Sequence, residues 1–372
     1  MTTEIFDELF VLELANNHWG KLERGLRIIS DFARVVKFNG VKASIKLQFR
    51  NVDEFVHADY RDCKDVRYIK KTLDTQMSWD NLRTMVDAVR DAGMLTMVTP
   101  FDEVSVEKCV EFGVDILKIA SSDNRDKTLL RKIASTGKPV IASSGGADMH
   151  HIDALVTFFS SRNIPFALNH CVSIYPSDDS DLELNQIDFL KARYPDITIG
   201  LSTHEQRDWH DSILIAYGKG ARTFERHVDI DYEGVPVSAY CTKPEQADIW
   251  FKAFNTAKEM CGGPAARKRA VPAKEREYLD ALVRGVYLKR DVPAGHVLTD
   301  EDVYLAVPLL KGQISTREFE GGEVLKAAVA VDQPVFMADI DSHYVDDPEL
   351  LALVPDRGLE PRAVDAKIAV NQ

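Results

Sequence analysis

The sequence predicts an α/β fold, a (β/α)8 TIM barrel followed by a small C-terminal domain. From residue 10 to about 260, short apolar runs alternate with longer amphipathic ones, and glycines often stand just before the apolar runs, where helices end. Eight such units in about 250 residues match the size of a barrel. An open doubly wound sheet would also alternate, but it more often has a glycine-rich loop after its first strand, and no G-x-G-x-x-G occurs here.

The predicted strands are short and apolar, and helical patterns separate them. The pattern is clear in 79–92, where Leu82, Met85, Val86 and Val89 recur at helical spacing. Parallel strands joined by helices bring all their carboxyl ends to one mouth of a barrel. In chain order, the predicted strands cover residues 10–15, 43–48, 95–98, 116–120, 139–143, 166–170, 198–201 and 223–227.

Composition divides the chain into four segments. The barrel is expected over 1–262, and a small and then basic stretch at 263–282 is interpreted as a linker. Short strands and turns predict a compact domain at 283–341, and the irregular tail at 342–372 receives no assignment. Because a domain of about 60 residues buries little core, the small domain would gain from docking onto the barrel or a second subunit.

Composition and charge exclude several classes of protein. The chain has 46 Lys and Arg against 59 Asp and Glu, a net charge of −13, so neither nucleic-acid binding nor attachment to anionic membranes is expected. No apolar run reaches the roughly 18 residues of a membrane span, and the start lacks a signal-peptide pattern. Five dispersed cysteines without a C-x-x-C pair indicate reduced thiols, so a cytoplasmic protein is expected.

Polar side chains end nearly every predicted strand. The carboxyl ends of barrel strands face the active site, so polar groups on so many of them predict one shared polar mouth. In chain order these side chains include Glu13, Lys46, Gln48, Thr99, Lys118, Ser121, Asp123, Ser143, Ser173, Tyr175, Ser202, His204, Glu225 and His227.

Two lysines lie within or at the end of apolar strands. A buried ammonium such as that of Lys46 or Lys118 is costly unless an anion or a hydrogen-bond partner offsets it. One such lysine would be interpreted as a structural ion pair with a carboxylate. Two around one mouth, with several hydroxyls, indicate a site for a phosphate or for a phosphate and a carboxylate. A Schiff-base lysine is the competing chemical role.

Two histidines end neighbouring predicted strands. Imidazole is the commonest neutral metal ligand, so His204 and His227 together predict a divalent metal site, although one histidine alone is more often a core or surface residue. Glu13, Asp229 or water could complete the coordination. A mixed nitrogen and oxygen set suits Mn²⁺, Mg²⁺ or a related divalent ion such as Co²⁺, and the sequence does not choose among them.

The ordered set of short motifs resembles the sialic acid synthase family, which comprises N-acetylneuraminate synthase and its legionaminic and pseudaminic acid relatives. Residues 283–341 resemble the family's C-terminal antifreeze-like (SAF) domain. The barrel motifs occur in family order at residues 13–20, 46–48, 99–101, 118–121, 143–145, 170–176, 200–204 and 225–227.

The resemblance implies a transferase that condenses phosphoenolpyruvate with an aldose to give a 2-keto-3-deoxy sugar acid and phosphate. It also implies a domain-swapped homodimer in which the small domain caps the partner's barrel. Metal binding is expected at His204 and His227, and Glu13 or Asp123 is expected to orient or deprotonate water, while Phe101 and Tyr175 would line the sugar side. The other implied substrate-binding residues are Lys46, Gln48, Thr99, Lys118, Ser121, Ser143, Ser173 and Ser202.

The chain departs from the family mainly where the acceptor sugar binds. Asp123 stands in place of a Glu, Ser173 replaces an Asn, and residues 234–238 lack the usual Gly-Pro-Asp. In the small domain Val307 replaces the sugar-contacting Arg. These departures predict that phosphoenolpyruvate remains the donor and that the acceptor differs from N-acetylmannosamine.

Two other functions compete with this hypothesis. A metal-dependent or Schiff-base aldolase would use pyruvate in place of phosphoenolpyruvate. A catalytically silent barrel would bind a sugar without turning it over, and the departures among the acceptor residues make this conceivable. Retention of Lys46, Lys118, His204 and His227 argues against the silent barrel.

Overall fold

A computed structural model describes residues 3–63, 65–232, 234–263 and 267–361 of the 372-residue chain. The chain divides into two compact units, Met1–Gly262 and Gly263–Gln372. No helix of the described residues has both the length and the apolar character needed to cross a membrane.

The first unit is a closed barrel of eight parallel strands, in which each strand pairs with the next and β8 pairs with β1. The predicted barrel is therefore confirmed, and the strand ends differ from the predicted ones by no more than one or two residues. The strands are β1 Leu9–Ala15, β2 Ala43–Phe49, β3 Leu95–Pro100, β4 Ile116–Ile119, β5 Val140–Ser143, β6 Phe166–Cys171, β7 Thr198–Ser202 and β8 Thr223–His227.

Amphipathic helices follow the strands and bury one face against them. In the helix predicted at 79–92, the four apolar residues of the predicted face are the buried ones, and the Ser78 hydroxyl accepts a hydrogen bond from the Asn81 N–H at its start. The helices of this unit are α1 Leu22–Asn39, α2 Val52–Phe55, α3 Arg67–Asp74, α4 Trp79–Asp91, α5 Glu103–Glu111, α6 Lys127–Ser135, α7 Met149–Ser160, α8 Asn185–Arg193, α9 Asp211–Lys219 and α10 Pro244–Cys261.

The interior of the barrel changes from apolar to polar along the strands. Leu9 and Val11 of β1 belong to an apolar cluster shared by several strands, and Glu13 comes two residues later, also buried. In the same way Ile116 is followed by Lys118 on β4. Because side chains at i and i+2 share one face of a strand, the polar residues lie above the apolar cluster, toward the carboxyl ends. The change from apolar to polar side chains therefore places the candidate site at the carboxyl ends of the strands.

The described residues of the second unit form two small antiparallel sheets and two α-helices, and they have their own apolar core. Residues 342–361, to which the sequence assigns nothing, complete this unit, because Tyr344 and Val354 are buried in its core. A helix also lies within the stretch interpreted as a linker. The elements are α11 Ala273–Asp280, β9 Gly285–Leu288, β10 Val303–Ala306, β11 Val324–Leu325, β12 Ile340–Asp341 and α12 Pro348–Leu353.

Candidate functional site

A continuous chain of buried charged side chains crosses the mouth of the barrel. The Lys46 ammonium lies 2.5 Å from Glu13 Oε2 and 2.6 Å from Glu225 Oε1. The second oxygen of Glu225 lies 3.6 Å from Lys118 Nζ, and Lys118 donates a 2.6 Å hydrogen bond to Ser143 Oγ. Two cations and two carboxylates thus neutralise one another. The two predicted lysines therefore lie at one mouth of the barrel. Each of them also pairs with a buried carboxylate, as the ion-pair interpretation expects.

Strand register explains why these side chains meet. Glu13 of β1 is the register partner of Lys46 on β2 and of His227 on β8, so the three lie at one level of the barrel. Glu225 precedes His227 by two residues on the same strand, so its side chain also faces the interior. The neighbouring parallel strands β8, β1 and β2 therefore supply the carboxylates, the ammonium group and the imidazole of one site.

Burial and charge compete in setting the pKa values of this chain. Burial raises the pKa of Glu225, but the nearby charges of Lys118 and Lys46 outweigh burial and lower this pKa to about 2. Burial lowers the pKa of Lys46, and the carboxylate of Glu225 opposes that shift. Glu225 therefore stays ionised at neutral pH.

The predicted serine and threonine residues lie around this chain. Ser202 Oγ donates a 3.3 Å hydrogen bond to Glu225 Oε1, and Thr99 is buried at the end of β3. Ser121 and Ser173 converge beside Gly145, where a Cβ atom would lie 2.6 Å and 2.2 Å from their hydroxyl oxygens. Glycine at position 145 therefore lets two hydroxyls approach the same space.

The two predicted metal ligands lie side by side. The ring centroids of His204 and His227 are 5.4 Å apart, and the ring of Tyr175 lies 4.0 Å from that of His204. His204 Nδ1 lies 2.9 Å from the Val172 carbonyl oxygen, so a proton on Nδ1 can be donated there while Nε2 keeps its lone pair. Burial lowers the pKa of His204 to about 4 and that of His227 well below its usual value, so both rings are neutral.

Neutral, buried imidazoles are suitable ligands for a divalent ion, and the rings of His204 and His227 lie close enough to each other to share one. No group of three or more His, Cys, Asp or Glu residues that could hold a metal occurs in the described parts of the chain. Asp229, which the sequence offers as a further ligand, instead pairs with the buried Arg24 guanidinium at 2.6 Å. Glu13 is paired with Lys46. Water or substrate would therefore complete the coordination.

Three further predicted residues are Phe101, expected on the sugar side, the substrate-binding Gln48 and the water-orienting candidate Asp123. Phe101 stacks against Arg50, whose Cζ lies 3.6 Å from the ring centroid. Gln48 donates a 2.9 Å hydrogen bond to Glu13 Oε1 and accepts one of 3.0 Å from Arg50. Burial raises the pKa of Asp123, whose carboxylate accepts a hydrogen bond from its neighbour Ser122 but makes none to the other predicted site residues described here.

Several residues of this mouth have no predicted role in the sequence. The sequence places Glu225 at a strand end but not between two lysines, although two buried cations require more than one anion. Arg50 comes two residues after Gln48, and this strand spacing indicates that the two side chains share one face. Tyr240 packs 5.2 Å from the His227 ring, and it comes from a loop whose path no strand or helix pattern indicates.

Comparison with known proteins shows the family of the chain. The NeuB family model matches residues 33–263, and the SAF domain model matches residues 283–341. N-acetylneuraminate-9-phosphate synthase of Mus musculus is 25% identical over 340 residues, covering 90% of this chain and 92% of the mouse protein. Pseudaminic acid synthase of Campylobacter jejuni is 23% identical over 334 residues, covering 85% and 94% of the two chains.

A solved structure shares the same architecture. It is a Chromobacterium violaceum protein, provisionally described as spore coat polysaccharide biosynthesis protein E. It aligns with a TM-score of 0.86 and 35% identity over 90% of this chain and 100% of the other. The resemblance inferred from the short motifs is confirmed, and the predicted SAF domain follows the barrel.

Proposed function

We propose, because the chain belongs to the NeuB family, that it is a transferase that condenses phosphoenolpyruvate with an aldose. The product would be a 2-keto-3-deoxy sugar acid, and inorganic phosphate would be released. The relatives named N-acetylneuraminate-9-phosphate synthase and pseudaminic acid synthase support this class of reaction. The observation that carries the proposal is the pair of lysines that converges at one mouth with buried hydroxyls around it.

In the proposed reaction, the lysines hold the donor. Phosphoenolpyruvate carries a phosphate and a carboxylate, so the ammonium groups of Lys46 and Lys118 donate hydrogen bonds to its oxygens. Thr99 and the serine hydroxyls fix its orientation. The methylene carbon of the donor attacks the aldehyde carbon, a carbon–carbon bond forms, and the aldehyde oxygen takes a proton.

Water then completes the proposed reaction. It adds to carbon 2 of the donor, which has become cationic, and the Glu13 carboxylate accepts the proton that the water loses. The hydrated carbon expels phosphate and becomes the keto group. Asp123 is the second candidate for orienting this water. A divalent ion held by His204 and His227, with Mn²⁺ as the first candidate, would supply a Lewis acid for the aldehyde oxygen.

The acceptor proposed here differs from N-acetylmannosamine. Asp123, Ser173 and Val307 depart from the family residues at positions expected to contact the acceptor. The assay is phosphate release from phosphoenolpyruvate with Mn²⁺ across a panel of aldoses. Strong and selective use of N-acetylmannosamine would contradict the altered acceptor while leaving the reaction class intact.

Substitution of the two histidines tests the metal site. His204→Ala and His227→Ala should each abolish metal-dependent phosphate release and weaken Mn²⁺ binding measured by calorimetry, with circular dichroism unchanged. His210→Ala, at an exposed histidine, serves as the matched control. Unchanged activity in either site variant would remove the metal assignment.

Borohydride trapping separates the competing aldolase. With pyruvate in place of phosphoenolpyruvate, reduction should attach nothing to the protein. Covalent attachment at Lys118 or Lys46 would instead favour the pyruvate-dependent aldolase. No phosphate release with any aldose would favour the silent sugar-binding barrel.

The proposal also includes a homodimer in which the small domain of one subunit caps the barrel of the other. Its support is the match of residues 283–341 to the SAF domain that accompanies the synthase domain in this chain. Size-exclusion chromatography with light scattering should give twice the chain mass of 41.8 kDa. A monomer at assay concentrations would contradict it.

A further inference from the structure

Arg50 presents an unpaired guanidinium at the mouth of the barrel. It follows the last residue of β2, and its Cζ lies 3.6 Å from the centre of the Phe101 ring and 5.6 Å from that of Phe55. Nη1 donates a 3.0 Å hydrogen bond to Gln48 Oε1. No carboxylate among the described residues lies within 4.0 Å of this guanidinium. Most of its donors therefore remain available, in a plane held by an aromatic ring.

A second cation, Lys71 on α3, acts on Arg50 through its charge. The Lys71 ammonium makes no hydrogen bond or ion pair within the part of the chain that the structure describes, whereas that of its neighbour Lys70 pairs with Asp74. Burial lowers the pKa of Lys71, and the charge of Arg50 lowers it further. Arg50 lines a small cavity of about 20 Å³ together with Gln48 and with Thr72, which lies on α3 next to Lys71.

These two cations differ from the lysines that would hold the donor. Lys46 and Lys118 are each paired with buried carboxylates, so their charges are already balanced. Arg50 comes four residues after Lys46 and directly after β2, which places its backbone about 13 Å farther along the strand direction at 3.3 Å per residue. A donor of phosphoenolpyruvate's size held by the two lysines does not account for Arg50.

Nearby carboxylates do not neutralise Arg50. Asp102 accepts hydrogen bonds of 2.7 Å from the Asn51 and Ser105 N–H groups and caps α5. Asp123 acts on Arg50 through its charge, but it forms no ion pair with it. Burial lowers the pKa of Arg50 to about 10, so the guanidinium remains charged at neutral pH. This positive charge lies beside Phe101, on the predicted sugar side, and forms no ion pair with a carboxylate of the described residues.

We infer that the acceptor aldose carries a negatively charged group, a carboxylate or a phosphate, and that Arg50 binds this group with the help of Lys71. This inference rests on the proposed condensation. It narrows the substrate class of the same site, because a fixed planar guanidinium matches the paired oxygens of a carboxylate or phosphate. A neutral aldose would leave Arg50 partly buried without an anion.

The test compares three acceptors that differ only at carbon 6: mannose, mannuronic acid and mannose 6-phosphate. Phosphate release from phosphoenolpyruvate is measured with Mn²⁺ for the wild-type protein, Arg50→Gln, Lys71→Gln and the control Arg83→Gln, which alters an exposed arginine on α4. The two anionic acceptors separate a carboxylate ligand from a phosphate ligand. The KM for phosphoenolpyruvate is measured for every variant.

The wild-type protein should use one anionic acceptor with a kcat/KM at least about 100-fold above that for mannose. Arg50→Gln should remove about 100-fold of this preference, since the bond joins two charged groups, and Lys71→Gln about 10-fold. The kcat/KM for mannose and the KM for phosphoenolpyruvate should change less than about threefold. Arg83→Gln should behave as the wild type.

Three outcomes would overturn the inference while leaving the condensation intact. The wild-type protein could use mannose with the same kcat/KM as the anionic acceptors. Arg50→Gln could raise the KM for phosphoenolpyruvate, which would assign Arg50 to the donor. Arg50→Gln could also lower the activity equally with all three acceptors and, in addition, lower the melting temperature. That result would indicate a structural pair between Arg50 and Asp123.

Absence of phosphate release with every acceptor would reject the proposed function instead. Calorimetric titration with mannose, mannuronic acid and mannose 6-phosphate then decides the anion site by itself. Binding of an anionic sugar that Arg50→Gln abolishes would support the site. Equal binding of mannose, or no binding of any of the three, would overturn it.

Discussion

Glu225→Gln tests the charge balance of the barrel mouth directly. Glu225 lies between two ammonium groups, 2.6 Å from Lys46 Nζ and 3.6 Å from Lys118 Nζ, with all three side chains at most 7% exposed. Glutamine keeps the volume and can still accept hydrogen bonds from Lys46 and Ser202. It removes one negative charge, so two buried cations are left with Glu13 alone.

The expected loss of stability follows from this geometry. Removing one partner of a buried ion pair costs about 3–5 kcal/mol, and the retained hydrogen bonds place this substitution near the lower limit. For a domain of this size, about 3 kcal/mol corresponds to a fall of about 6–12 °C in the melting temperature. Glu111→Gln, which breaks an exposed pair with Lys108 at 2.7 Å, should cost only about 0.5 kcal/mol.

Tryptophan fluorescence during heating measures this loss in the barrel alone. All four tryptophans, Trp19, Trp79, Trp209 and Trp250, belong to the first compact unit. Adding Lys118→Gln to Glu225→Gln should restore part of the melting temperature, since it removes the cation left without a partner. A Glu225→Gln barrel that melts with the wild type would refute the view that Glu225 balances the two lysines.

Acid pH provides an independent check on the same carboxylate. The pKa of Glu225 in the folded barrel is about 2, below the ordinary value of 4.5. Because the folded-state pKa is lowered, its stabilising contribution is complete above pH 4.5 and is lost as the pH falls toward 2. The difference in melting temperature between wild type and Glu225→Gln should therefore stay constant from pH 4.5 up to the approach to the pKa of Lys46, about 7, and shrink below pH 4.5.

Two further substitutions test other parts of the molecule. Gly145→Ala would place a methyl group 2.2 Å from Ser173 Oγ, so the serine hydroxyls must move and the KM for phosphoenolpyruvate should rise at least about 10-fold, with a loss of stability of about 1–3 kcal/mol from overpacking; an unchanged KM would separate this space from the donor site. Arg357→Ala leaves the buried Glu318 without its guanidinium partner, so calorimetry should show the second unit destabilised by about 3 kcal/mol. The unfolding transition of the barrel, followed by tryptophan fluorescence, should not change. Equal stability would mean that the segment after residue 341 does not hold this unit together.

Much of the barrel could be predicted because local pattern determines it. Strand, helix and turn signals repeat every few tens of residues, and each strand end was within one or two residues of the observed one. Convergence of Lys46, Lys118, His204 and His227 also followed, since residues at the carboxyl ends of barrel strands share one mouth. These inferences needed only the period of the sequence and the topology it predicts.

Other parts of the site depend on contacts that no local pattern encodes. Lys71 lies on a short helix after β2, and only the three-dimensional path of that helix brings it near Arg50. Asp229 resembles a metal ligand in the sequence, but Arg24, 205 positions earlier, occupies its carboxylate. The tail was unassigned for the same reason, since Arg357 meets Glu318 across 39 residues.

The two groups of cations at the mouth are suited to different tasks because their charges are balanced differently. Lys46 and Lys118 share internal carboxylates, so an incoming anion must compete with Glu13 and Glu225 for their hydrogen bonds, and binding rearranges an existing network. Arg50 has no such competitor among the described residues, so an anion there gains the full interaction without displacing one. Selectivity between acceptors should therefore depend on Arg50 more than on either lysine.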